Sequence, residues 1–482
     1  MTPQRESMGF TGQAPFRSAL GALLVVALGA CDSMLEVELP GNLTEDDLYL
    51  PASAEILVNS AIADFECAFS MYTAVMSGAE DATWRTSGYF TTSTTYQSDR
   101  PAGGGCTTNI DTSENWFQGF QKSRLLAENS YTYLTGWTDA EVANRTRLLA
   151  TAAVYAGLFY SQIGEVYCEF ALPGEALMTP MQTLQRAEQW FTVALGHIGS
   201  GDYSIVSTTS LKQLAYLLRA RVRLAMRNTA GAAADAALVA PGFAAWVTRE
   251  PSVRPRWNAV YQAFNATRWR SFAGPVRWLG HLPTQLVSTG YIGLTIKADG
   301  RPGVNSGTAD PRVKLTYTGQ FAQDGVTDQY TTSKYTGLGD DQRLASWAEA
   351  QYILAEIEGG QATVARINAV RVTKGITTAF VSADNDEIYS VLIEERRREF
   401  FLEGRHHADK LRYGLWFPRL RGWNHKAVRY GSEYCLLMPE SAYNLNPLIT
   451  AGFIGPDLSN LSYDFQLKVA RVARWPVPSS LP

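Results

Sequence analysis

The run Glu394–Arg412 reads E-E-R-R-R-E-F-F-L-E-G-R-H-H-A-D-K-L-R, and Asp384–Ile393, D-N-D-E-I-Y-S-V-L-I, leads into it. On a helical wheel Tyr389, Ile393, Arg397, Phe400, Gly404, His407 and Leu411 fall on one stripe, which Phe401 and Ala408 widen. Asp384 or Asp386 can cap the start, and Gly414 follows the end. The spacing therefore predicts one helix over 384–412. Its other face carries Glu394, Glu395, Arg398, Glu399, Glu403, Arg405 and Asp409, which read as an ordinary solvated face. Arg396 and Arg397 do not fit that reading, because they lie in or beside the apolar stripe. A buried guanidinium without carboxylate or carbonyl partners costs several kcal/mol. The expectation is a helix clamped into a core by a charge network.

This run resembles the C-terminal signature helix of RagB/SusD-type nutrient-uptake lipoproteins, whose pattern is roughly E-R-R-x-E-L-x-x-E-G-x-R-x-x-D-L-x-R. Glu395, Arg396, Arg397, Glu399, Glu403, Gly404 and Asp409 match it. His406 stands where the family usually has Arg, His407 where it usually has Trp, and Lys410 intervenes before Leu411. In the family this signature is structural, so it speaks to fold and not to ligand. The resemblance implies a mostly α-helical protein: tetratricopeptide-like helical repeats with irregular, loop-rich segments packed against them. It also implies non-covalent capture of a glycan or oligopeptide without a cofactor. Delivery would be to a TonB-dependent SusC-like barrel in the outer membrane.

The N-terminus reads as an address. Arg5 and Arg17 form a basic region, and Ala19–Gly29 is apolar but too short to span a bilayer stably. Leu28-Gly29-Ala30-Cys31 is a lipobox, so residues 1–30 read as a signal peptide and Cys31 as the site of a lipid anchor. Asp32, Glu36 and Glu38 give an acidic start, which is similar to a surface-export signal but, with Asp next to the Cys, equally to a signal that retains a lipoprotein in the inner membrane. Residues 31–482 then form a single expected domain, with its helical scaffold at about 45–240 and 344–414 and loop-rich segments at 78–112, 241–340 and 415–482.

Composition narrows the function. The 42 basic and 46 acidic residues leave a net charge of −4, with no basic stripe, which argues against nucleic acid. Cys67, Cys106, Cys168 and Cys435 remain once Cys31 carries lipid, and four cysteines allow three pairings. None has zinc-site spacing. Cys67 and Cys106 flank the long polar loop, so that pairing is the favoured one.

Helical periodicity recurs along the chain: Asp46 to about Ser77, Glu114–Leu134, Asn144–Gly164, Thr183–Ile198, Leu211–Met226, Ala230–Val239 and Leu344–Glu358. Gly164 reads as the stop of its helix. The paired helices look like tetratricopeptide repeats of irregular spacing. Gly103-Gly104-Gly105 lacks the Lys-Ser/Thr of a phosphate loop. Further landmarks similar to the same family stand in order: A-x-x-L-x-A-R-x-x-L at Ala215–Leu224, Asp310-Pro311-Arg312, Lys334-Tyr335, Ile367-Asn368-Ala369-Val370-Arg371, Met438-Pro439 and Asn446-Pro447.

Catalytic signals are weak. His406 and His407 point about 100° apart on a helix and cannot share a metal. Glu403 and His407 could, but a packed histidine is the simpler reading. His197, His281 and His425 are isolated, and no nucleophile motif accompanies them. No enzyme and no metal site are expected. Twelve Trp make aromatic stacking the remaining signal. Trp84 and Tyr89, in the polar loop, are the first candidates for ligand contact, followed by Trp257 and Trp269. A tetratricopeptide-type scaffold lipoprotein that assembles an outer-membrane complex is the alternative reading.

Overall fold

The computed structural model describes residues 49–80, 83–86, 116–272, 277–279, 286–288, 290–415, 435, 436, 438, 442 and 446–449. Its first half is a row of helices, each packed on the next: α1 (Ala54–Ala79), α2 (Trp116–Gly136), α3 (Arg145–Val166), α4 (Pro180–Ile198), α5 (Leu211–Ala225) and α6 (Thr229–Ala236). Local chemistry sets their starts. Thr179 and Gln182 form a capping box around Pro180 at the head of α4. The side chains of Ser210 and Asn228 accept amide hydrogens at the heads of α5 and α6.

Small residues let these helices approach closely. α3 is buried almost throughout, and Gly164 does not stop it: the helix runs on to Val166. A Cβ on Gly164 would lie 2.8 Å from Leu184 Cγ, and one on Gly157 2.6 Å from Phe191 Cε1. Both glycines serve the α3–α4 contact. Phe65, Phe120, Tyr155, Phe159 and Phe191 fill the resulting core.

The segment expected to be irregular, 241–340, is built of short antiparallel strands. β1 (Thr83–Arg85) precedes α2 in the chain; β2 (Ala244–Val247), β3 (Arg270–Phe272), β4 (Arg277–Leu279), β5 (Leu286–Ser288), β6 (Leu294–Ile296), β7 (Pro302–Val304), β8 (Thr308–Ala309), β9 (Leu315–Phe321), β10 (Asp328–Thr332) and β11 (Gln342–Ser346) follow. They pair as β1–β3, β2–β11, β4–β5, β9–β10 and a three-stranded β7–β6–β8. β11 feeds α7 (Trp347–Glu358), then α8 (Gly360–Thr373), α9 (Asn385–Glu399) and α10 (His406–Tyr413). α7, α8 and α9 share a second core around Tyr352, Ile367, Phe380 and Phe400.

The stretch 384–412 is not one helix. It breaks between Glu399 and His406, where Leu402 and Gly404 adopt positive φ of 57° and 66°. Tyr72 sits against the break, and a Cβ on Gly404 would lie 2.7 Å from its Cε1. Gly404 is thus needed for a turn and a close approach, not for a helical stripe.

A disulfide joins Cys168, just past α3, to Cys435. Backbone bonds from Leu436 N to Val166 O (2.8 Å) and Cys168 N to Leu436 O (2.9 Å) flank it. Cys67 is also disulfide-bonded. Cys106, like Cys31 and Tyr89, lies outside the described residues. Among the described residues no helix is long and apolar enough to cross a membrane.

Candidate ligand-binding face

The signature residues form a buried ion-pair network. The face expected to be solvated is instead inside: Glu395, Arg398, Glu399, Glu403, Arg405 and Asp409 are all buried. Glu395 accepts from Arg312 at 2.8 Å and Arg371 at 2.6 Å. Burial raises its carboxyl, but the two guanidinium groups prevail and hold it down at about 2. Asp310 pairs with Arg312 (2.8 Å) and Arg398 (3.2 Å). Glu403 pairs with Lys334 and Arg343, both at 2.6 Å. Glu399 is 2.9 Å from both Arg343 and Lys374. Arg396 makes a two-pronged bond to Asp409 at 2.9 and 2.8 Å, and Arg405 another to Glu165 at 2.8 Å.

Arg397 is held by Glu394 (2.8 and 2.7 Å) and by the Gly290 carbonyl (3.1 Å), with Tyr291's ring centroid 4.5 Å from its Cζ. Every guanidinium here is spent on a protein partner, so the network clamps the fold. His406 and His407 are buried imidazoles whose pKa values burial pushes well below the usual range, so both are neutral. Among the described residues no group of three His, Cys, Asp or Glu could hold a metal.

The exposed chemistry lies at the edge of the small strands. β1 pairs with β3 in the register Trp84 to Ser271 and Arg85 to Arg270. Ser271 Oγ donates to Asp328 O (2.5 Å) and accepts from Tyr330 N (3.1 Å). β1, β3, β10 and β9 therefore lie side by side. Trp269, half-buried, immediately precedes β3, and its carbonyl accepts from Thr86 N at 2.9 Å. The structure thus brings together the backbone at Trp84 and Trp269. Trp257 is placed on the Arg254–Arg256 turn, where its indole N–H donates to Pro251 O at 2.8 Å and Arg254 lies over the ring.

Sequence reasoning missed the hairpin beside Trp269. Its register places Tyr317 opposite Tyr330 and Phe321 opposite Asp328, with a β-bulge between the two pairs. Tyr317 is 49% and Phe321 55% exposed. The Tyr317 and Tyr330 rings lie 5.3 Å apart. Between them and Phe321, Gly319 leaves open space where a side chain would stand. Tyr317 Oη is 3.5 Å from Asp328 Oδ1, and Gln320 Oε1 accepts from Arg268 at 2.9 Å. Flat rings with a polar rim suit a ligand with one apolar and one hydroxylated surface. The available signal was Asp324-Gly325 between two alternating runs; Asp324 caps the turn by accepting from Val326 N and Thr327 N.

No protein-family model and no curated protein sequence matches the chain. Solved structures do. A SusD superfamily protein from Bacteroides vulgatus ATCC 8482 is similar with a TM-score of 0.59 at 14% identity, over 85% of this chain and 100% of that one. A SusD-like carbohydrate-binding protein from the same strain gives 0.51 at 14% identity, over 89% and 98%. One from Bacteroides fragilis NCTC 9343 gives 0.51 at 14%, over 83% and 98%. The chain has the SusD-like fold.

Proposed function

We propose that this chain is a cell-surface lipoprotein, anchored through Cys31, that captures a glycan and passes it to a TonB-dependent SusC-like barrel. The observation that carries the reading is the pair of exposed aromatics on one hairpin, Tyr317 and Phe321, with half-buried Tyr330 opposite Tyr317. Two of the similar solved structures are described as carbohydrate-binding proteins, which favours a sugar as the ligand. A pyranose offers C–H faces to aromatic rings and hydroxyls to Asp328 and Gln320. Binding is non-covalent and the protein is not a catalyst.

Calorimetric titration against a panel of glycans and oligopeptides tests this. A glycan should bind, and Tyr317→Ala or Phe321→Ala should weaken it by about 1–3 kcal/mol, the worth of one buried aromatic side chain. Binding of oligopeptides alone, or glycan affinity indifferent to both substitutions, overturns the reading. Mass spectrometry of the mature N-terminus should show diacylglycerol on Cys31; a membrane-bound Cys31→Ser protein would refute the anchor. Co-purification with a barrel from native membranes checks the partner.

A further inference from the structure

Glu80 caps the C-terminal end of α1 and is 1% exposed. Its Oε1 accepts from the backbone N–H of His406 at 2.8 Å, and the N–H of His407 bonds to the same carboxyl. These are first-turn amides of α10, which have no partner within their own helix. Glu80 therefore serves as a cap for a helix 326 residues further along the chain. The cap is incomplete. Oε2 has no hydrogen-bond partner among the described residues.

The charged groups that face it are already paired. Arg405, in the turn before α10, is taken by Glu165 of α3. Asp409 of α10 is taken by Arg396 and Arg412. The remaining titratable neighbours are Tyr72 of α1, Tyr291 and the two neutral imidazoles, with buried Lys410 also on α10. Burial pushes the Glu80 carboxyl up to about 8, against the pull of the two amides and Arg405.

We propose that Glu80 is a protonation-controlled latch between the end of α1 and the start of α10. As a neutral acid it holds α10 through its carbonyl oxygen. Ionised, it is a buried anion without a counter-charge of its own, and the joint loosens. β1 starts at Thr83, three residues on, so the latch also bears on where the chain leaves α1 for β1. Any effect on the ligand face rests on the function proposed above; the latch itself is tested without ligand, so the two can fail separately.

The folded value lies above the ordinary 4.5. Glu80's contribution is therefore full below the ordinary value and is lost as pH rises through about 8. Glu80→Gln keeps the carbonyl acceptor and cannot ionise. Melting midpoints of the two proteins should agree near about pH 5, and the wild type should fall about 5 °C below the variant by about pH 9. Hydrogen exchange at the amides of His406 and His407 should be faster in wild type than in Glu80→Gln at the high pH, and equal at the low. Parallel melts overturn the proposal. Should Glu80→Gln not fold, infrared spectroscopy of the wild type decides: a protonated carboxyl band must titrate near about pH 8 and change its midpoint in Glu80→Asp. Absence of that band, or indifference to the Asp variant, overturns it equally.

Discussion

Arg397 shows at the residue scale how the signature serves folding through buried ion pairs. The side chain is fully buried, and its donors go to Glu394 and the Gly290 carbonyl while its face rests on Tyr291. Arg397→Ala would leave Gly290 O without this donor and empty the space above Tyr291. Glu394 keeps Arg398 at 2.7 Å, so one carboxylate partner survives. The expected cost is roughly 3–5 kcal/mol of stability, the scale for breaking a buried pair. Arg397→Lys should recover only part, since an ammonium cannot make the two-pronged bond. Denaturant titration reads both. A variant that unfolds like wild type yet loses ligand would place the site on the signature helix instead.

Helix periods of the scaffold elements were legible because each is a local pattern: Leu149, Ala152, Ala156, Phe159 and Ile163 lie on one stripe of α3 whatever the rest of the chain does. The errors arose where an element's environment comes from far away. A helical wheel sees Glu395 and Glu403 as surface charges, because their partners Arg312, Arg371, Lys334 and Arg343 stand 83, 24, 69 and 60 residues off. The same distance effect turned Gly164 from a contact residue into an imagined stop. Read together, the scattered landmarks had the answer: Asp310, Arg312, Lys334 and Arg371 are the counter-charges of the signature. Trp269, which immediately precedes β3, was singled out by its aromatic crowding. Tyr317, Phe321 and Tyr330 were not, since single aromatics in a two-stranded hairpin look like strand residues until the register is known.

At the scale of the whole molecule, the described residues of 435–449 return to the helical first half. Residues near Cys435 meet the link between α3 and α4: Ala171 N donates to Met438 Sδ at 3.2 Å, and Asn446 Nδ2 donates to Leu172 O and Glu175 O at 3.1 and 2.8 Å. The Cys168–Cys435 disulfide fixes that return across a sequence separation of 267. Leu436 and Met438 are also buried in the main core there, so the bridge and this packing share the constraint. Closing so long a loop restricts the unfolded chain strongly, and removing such a bridge costs about 2–5 kcal/mol in practice. A Cys168→Ser/Cys435→Ser double variant avoids leaving a stray thiol. It should melt at a lower temperature while keeping its helical signal, because the α1–α6 packing does not involve the bridge. Proteolysis should then cut between α10 and residue 435 sooner than in wild type. Unchanged melting together with unchanged proteolysis would mean that the hydrogen bonds of Leu436, Met438 and Asn446 suffice to hold the return, and that the disulfide constrains nothing the fold does not already hold.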